Sequence, residues 1–350
     1  MGEKIKFDWL ILAIILFITA VGLLTLFGVD KTLFALQLRH ILIGSLFFII
    51  FSFMPYRIFQ KTYLPLFIFI IFFLILPIAF GQITRGSQRW IKLGAFTFQP
   101  SEIIKPLAIL LFASCQKIFL PFIFLLPIAA LIFLQPDLGN TIILVVGWAG
   151  TLFHQSKFRK YLFFLLVIAL LALPLTWKFI APFQQQRINS FLNPQADPLG
   201  KNYQSQQAVI TVGSGQLLGQ GLGLGSQSRL AFLPERHNDL LFASFIEAFG
   251  FLGGISLLIA YFLLYWHLLS LAKKNQKQFP KAIILGVFTI MTTQTVINIG
   301  MNIGLLPITG VNLPLFSYGG SSYLATMISL GLIEAIYRQQ PRHFQEWRIR

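Results

Sequence analysis

Arg229, Glu235, Arg236, His237 and Asp239 crowd into one short stretch, GQGLGLGSQSRLAFLPERHNDLLF at 219–242, just before the chain turns apolar at Leu240. Ionised groups are costly beside hydrocarbon, so such a cluster at the mouth of an apolar helix asks for a functional reason. The chemistry open to it is that of a general base with cations around it. Asp239 sits at the apolar boundary, where desolvation raises the pKa of a carboxylic acid toward a useful value, while nearby Arg236 opposes the rise. Arg229 and Arg236 can bind an anion. Glu235 lies four residues before Asp239, so two acids can face one site, or Glu235 can pair with Arg236 in solvent. His237 either shuttles protons or fills a structural place in the loop. The glycines at 219, 221, 223 and 225 look like a phosphate cradle, but without a strand–turn–helix context loop geometry explains them better.

Only a membrane protein can carry this cluster in this chain. Of the 350 residues, 56% are hydrophobic and 11% charged, against roughly 25% charged in an ordinary soluble domain. The first apolar run, 9–27, bears no charge and can cross a hydrocarbon core of about 30 Å. It is too long for a signal-peptide core and no small-residue cleavage site follows, so it reads as a retained helix. The apolar runs divide into spans at about 8–28, 39–56, 62–80, 100–116, 118–134, 139–155, 160–180, 240–269, 282–304 and 315–337. The expected fold is an all-α polytopic membrane protein of about ten transmembrane helices, a single domain over 1–350. One long structured extracellular loop, 181–240, separates helices 7 and 8, and 338–350 form a basic tail.

A net charge of +16 could suggest nucleic acid, but the positions of the charges argue otherwise. More than half of the 27 Lys and Arg residues fall in the two tails and the short loops on the N-terminus's side of the membrane in this division. That bias keeps both termini cytoplasmic and puts 219–242 outside. The excess is topology plus attraction to anionic lipid, with no nucleic-acid partner. Cys115 is the one cysteine, so the outer loops carry no intrachain disulfide.

Other candidates lie at the helix mouths. In the outer loop 81–99, Arg85, Arg89 and Lys92 surround Trp90, either as an anion clamp or as an interfacial anchor. Span four opens with Ser101 as N-cap and Glu102 in the first turn, with Lys105 three residues on. Glu102 and Lys105 share a face and can neutralise each other, as an orienting ion pair or in a functional role. Asp137 caps span six or belongs to the site. Thr295, Asn298 and Asn302 line one face of span nine, where such residues glue helices or line a cavity. Glu247, deeper in span eight, is expected to pair with a span-nine polar group or with Lys105.

Four of these segments carry a family resemblance. RGSQRWIKLGAFTFQPSEIIKP, QPDLGNT, GQGLGLGSQSRLAFLPERHNDLLFA and GMNIGLLPITGVNLPLFSYGGSS resemble, in order, motifs of the SEDS proteins of bacterial shape, elongation, division and sporulation. They cover about 85–331; the first three spans match in character only. Pro234-Glu235-Arg236-His237 and the Pro-Ile-Thr-Gly hairpin look like the elongation branch. Asn238 stands where Thr is usual, and the loop near Asn140 is shorter and less charged. The resemblance implies a peptidoglycan glycosyltransferase of the bacterial cytoplasmic membrane, active on the outer face and polymerising lipid II. It also implies a class B penicillin-binding transpeptidase and the elongation machinery as partners. Asp239 corresponds to the family's essential acid, and Glu102 with Lys105 to its buried pair.

In that reaction a sugar hydroxyl of one lipid II attacks the anomeric carbon of another chain's lipid-linked sugar, and undecaprenyl pyrophosphate leaves. Pyrophosphate departs readily, so no protonating acid is needed, unlike hydrolysis of an ordinary glycoside. One base suffices, and general-base help is worth about 10²–10⁴-fold. Arg85, Arg89, Lys92, Arg229 and Arg236 would supply positive charge, with Glu235 and His237 at the same substrate site. A divalent cation, Mg or Mn, bridging Asp239 and the pyrophosphate would do similar work; no organic cofactor is expected. Two other readings compete. A lipid II transporter would use the span-nine stripe and the Glu102–Lys105 pair, but the chain lacks the paired broken helices of two related halves. A non-catalytic scaffold would only position the transpeptidase.

Overall fold

The computed structural model describes residues 7–84, 87–93, 96–115, 119–164, 178, 180–193, 202–229, 232–233 and 235–339. Helices α1 (Trp9–Val29) and α2 (Lys31–Phe53) are joined by Asp30 alone. Its backbone N–H donates to Leu26 at the end of α1, and its carboxylate accepts from the Thr32 and Leu33 N–H groups that open α2. One residue thus satisfies orphan groups of both helices. The Thr32 hydroxyl, donating at 2.6 Å, holds the Asp30 carboxyl below its ordinary value.

After α3 (Tyr63–Phe80) the chain departs from expectation. The segment that follows forms a three-stranded antiparallel sheet, β1 (Gln82–Thr84), β2 (Ser87–Leu93) and β3 (Phe96–Phe98), in that order. Ile83 pairs with Gln88 and Lys92 with Thr97. Ile91 is buried and Lys92 exposed, the alternation of a half-covered strand. In so short and cationic a run, that period is hidden behind the charges. The Gln88 amide donates to the Gly81 carbonyl at 3.0 Å and fastens the sheet to the end of α3. The all-α expectation holds for the membrane part, with this sheet added.

Helix α4 (Pro100–Ser114) is central: every residue except Ile103 and Leu107 is buried, with α3, α6, α12 and α13 around it. All-round burial lets it carry Glu102 and Lys105 inside protein rather than against lipid. Trp148 of α6 (Leu138–Phe153) donates to the Pro121 carbonyl of α5 (Leu120–Leu134) at 3.1 Å and pins that pair. Among the described residues, 156–164 are helical (α7). The long loop holds α8 (Pro182–Leu192), α9 (Tyr203–Ser214) and the short α10 (Ser226–Arg229). Helices α11 (Leu241–Lys274), α12 (Gln278–Asn302) and α13 (Gly320–Arg338) complete the bundle.

Helices α1, α2, α3, α11 and α12 are long and apolar enough to cross a membrane, and α5 and α6 are shorter apolar helices. The chain is a polytopic membrane protein. Most of the expected seventh span and nearly all of the basic tail lie outside the described residues.

Helix α11 reads in sequence as one continuous span, but Gly250 (φ 69°, ψ −170°) breaks it. The freed backbone is taken up by the glycine-rich segment. Gln220 and Gly221 donate to the Glu247 and Ala248 carbonyls at 2.8 and 3.0 Å, while Phe251 and Leu252 donate to Gln216 and Leu217 at 2.8 and 3.2 Å. A broken helix at membrane depth is tolerated when protein re-satisfies it in this way. A Cβ on Gly219 (φ 84°) would stand 2.3 Å from the Ala248 oxygen, and one on Gly250 would stand 2.3 Å from the Gly219 nitrogen. Close backbone approach accounts for these two glycines.

Candidate active site

Asp239 lies two residues before α11, on a turn wound about Glu235. The Glu235 carbonyl accepts from the Asn238 and Leu240 N–H groups at 3.1 and 3.4 Å, and its backbone is left-handed with φ 52°. The carbonyl of Asp239 is gripped from α12, where the side-chain amides of Asn298 and Asn302 each donate to it at 3.0 Å. The polar stripe of α12 therefore has two jobs. Thr295 bonds Tyr265 of α11 at 2.5 Å and glues helices; the asparagines hold the site.

Arg89 faces Asp239 from β2. Its Nη1 pairs with Asp137 Oδ1 at 3.2 Å. Asp137 also accepts from the Gln99 amide at 2.6 Å and from the Asn140 N–H at 3.3 Å. Asp137 thus caps α6 and fixes Arg89 at once. A Cβ on Gly310 would lie 3.5 Å from Asp239 Oδ2 and 3.8 Å from Arg89 Nη2. The carboxylate and the guanidinium converge over that glycine.

They share a cavity of about 540 Å³, which Arg89, Lys92, Glu102, Glu235 and Asp239 all help to line. Glu102 and Lys105 are both buried and pair at 2.8 Å through Oε1; Glu102 Oε2 has no hydrogen-bond partner among the described residues. Arg236, His237 and Lys105 stand outside the lining. The Arg236 guanidinium donates to the Ser228 carbonyl. His237 accepts at its carbonyl from the Tyr318 N–H at 3.2 Å, and its ring meets Tyr318 edge-on at 6.1 Å. These contacts tie the loop to α10 and to the hairpin before α13. Arg85 and the side chain of Arg229 lie outside the described residues.

Glu247 differs from expectation. It accepts from the Gln227 and Ser228 N–H groups at 2.8 and 3.0 Å and from the Ser228 hydroxyl at 2.5 Å. The N–H groups that open α10 need an acceptor, and Glu247 meets that need instead of reaching α12 or Lys105. The sequence also missed His40, Asn312 and Tyr318 in the cavity wall. His40 is a lone imidazole in an apolar run, and no local pattern marks it. Among the described residues, no three of His, Cys, Asp and Glu gather as a metal site.

A family model described as cell cycle protein, covering FtsW, RodA and SpoVE, matches residues 4–342. The chain belongs to the FtsW/RodA/SpoVE family. Among curated members, it is 34% identical over 349 residues to the peptidoglycan glycosyltransferase MrdB of Escherichia coli (strain K12), covering 96% of this chain and 94% of that one. It is 30% identical over 366 residues to stage V sporulation protein E of Bacillus subtilis, at 96% and 98% coverage. Two solved members share the fold. One is a chain of a peptidoglycan synthase complex studied for its coordination of polymerization and crosslinking, with TM-score 0.81 and 29% identity over 97% of this chain and all of that one. The other is the rod shape determining protein RodA of Thermus thermophilus, with TM-score 0.72, 26% identity and the same coverage.

Proposed function

We propose that this chain is a peptidoglycan glycosyltransferase that polymerises lipid II during cell-wall elongation, with Asp239 as general base. The observation that carries the reading is the meeting of Asp239 and Arg89 over Gly310 on the wall of one cavity. The curated name of the Escherichia coli relative supports the reaction class. The synthase-complex neighbour supports a penicillin-binding transpeptidase as partner.

The acceptor sugar hydroxyl gives its proton to the Asp239 carboxylate as its oxygen bonds to the anomeric carbon of the donor. The bond from that carbon to the pyrophosphate oxygen breaks, and both electrons leave with undecaprenyl pyrophosphate. Arg89, clamped by Asp137, and Lys92 meet the developing negative charge. No acid is needed on the leaving side. A divalent cation would be held by Asp239 together with phosphate oxygens of the substrate, the habit of hard cations at phosphate sites, and would neutralise the leaving group. The positive-inside bias orients this cavity to the outer face of the cytoplasmic membrane, with both termini inside. A transporter reading loses ground, because the α12 asparagines are spent on backbone carbonyls rather than lining a passage.

The test is reconstitution in liposomes with fluorescent lipid II, with and without a class B transpeptidase. Glycan strands cleavable by a muramidase are expected. Lipid II that crosses sealed liposomes but is never polymerised would overturn the assignment in favour of transport.

A further inference from the structure

Asn298 and Asn302 of α12 are fully buried, and both aim their amide nitrogens at the carbonyl oxygen of Asp239. Each has a second duty. Asn298 also donates to the Val311 carbonyl at 2.7 Å, and Val311 sits between Gly310 and Asn312, both of which line the cavity. Asn302 accepts at Oδ1 from the Ala243 N–H at 3.0 Å. Ala243 is in the first turn of α11, whose own N-cap residue, Leu240, offers no side-chain acceptor. Orphan N–H groups of a helix start need a partner, and here a neighbouring helix supplies one. A carbonyl oxygen has two lone pairs, and two amides from successive turns of α12 fill both. The backbone of Asp239 is thereby fixed from two directions, and the hairpin wall from a third.

We propose that Asn298 and Asn302 are positioning residues. They set the place of the Asp239 carboxylate relative to Arg89 and the hairpin, without touching substrate. The proposal rests on the reading of Asp239 as base. Misplacing a reacting group by about 1 Å costs around 10²-fold in rate, and the loss falls on turnover rather than on binding.

The experiment measures lipid II polymerisation by the full-length protein in liposomes for Asn302→Asp, Asn298→Ser and Asp239→Asn. Asn302→Asp keeps an oxygen for the Ala243 N–H, so the start of α11 stays capped while the donations to Asp239 and to the Asn298 carbonyl are lost. Asn298→Ser is the milder change and covers a failure of the first variant to assemble. The expected result is a fall of about 10²-fold in kcat for Asn302→Asp, a smaller fall for Asn298→Ser, and KM within about threefold of wild type. The double variant Asn302→Asp with Asp239→Asn should be no slower than Asp239→Asn alone, because the asparagine acts only through the aspartate. Folded asparagine variants with wild-type kcat, a change confined to KM, or a loss that multiplies with that of Asp239→Asn would each overturn positioning and leave the base intact. Wild-type polymerisation by Asp239→Asn would instead remove the base itself.

Discussion

Asp137 shows how one side chain can answer two readings at once. Its sequence context gave capping and a site role equal standing; in the fold it caps α6 and clamps Arg89. Local pattern announces a cap, because the N-cap and its partner N–H lie three residues apart. It cannot announce a partner on a strand dozens of residues away. Asp239 and Glu102 were legible because each stands with other charges at the mouth of an apolar run, while His40 and Tyr318 were not. The Glu102–Lys105 pair invites a stability test. Removing one partner of a buried ion pair costs about 3–5 kcal/mol, whereas replacing both by apolar groups is near neutral. Lys105→Met should therefore lower the unfolding midpoint in detergent far more than Lys105→Met with Glu102→Leu. Equal losses in the two proteins would mean that the pair is not coupled as its 2.8 Å contact implies.

Secondary-structure elements were legible where composition speaks for itself. The apolar runs of α1, α3 and α12 exceed what any soluble helix needs, and their existence follows from length alone. The break in α11 was hidden, because its cause lies in another segment. The backbone of 216–221 supplies the partners that let Gly250 leave the helix. The sheet at β2 was hidden too, since its alternation is only a few residues long and is interrupted by Arg and Lys. The glycine contacts predict a sharp asymmetry. Gly250→Ala places a Cβ 2.3 Å from the Gly219 nitrogen and also strains a left-handed backbone by about 1–3 kcal/mol. It should assemble poorly and lose polymerisation. Gly213→Ala has nothing within 4 Å of its Cβ and should be neutral or slightly stabilising. Unfolding midpoints of the two variants, measured side by side, check the argument.

For the protein as a unit, the membrane class was legible from composition, while the placement of Lys and Arg makes the side of each loop an expectation to be measured. Burial of the charged centre was not legible, since α4 becomes central only through α3, α6, α12 and α13 packing round it. Orientation is testable because Cys115 is buried. An impermeant thiol reagent added to intact spheroplasts should label Asn193→Cys, and should reach Gln276→Cys only after permeabilisation. The reverse pattern would place the cavity on the cytoplasmic side and remove it from lipid II presented outside.

The most direct measurement is the initial rate of lipid II polymerisation by Asp239→Asn beside Glu235→Gln, in the same liposomes and with the same transpeptidase. Both carboxylates line the cavity, but only one is read as the base. Asp239→Asn should fall by about 10²–10⁴-fold, the usual worth of a general base, while Glu235→Gln, whose carbonyl still organises the turn, should stay within tenfold of wild type. An Asp239→Asn protein that polymerises at the wild-type rate would contradict the assignment.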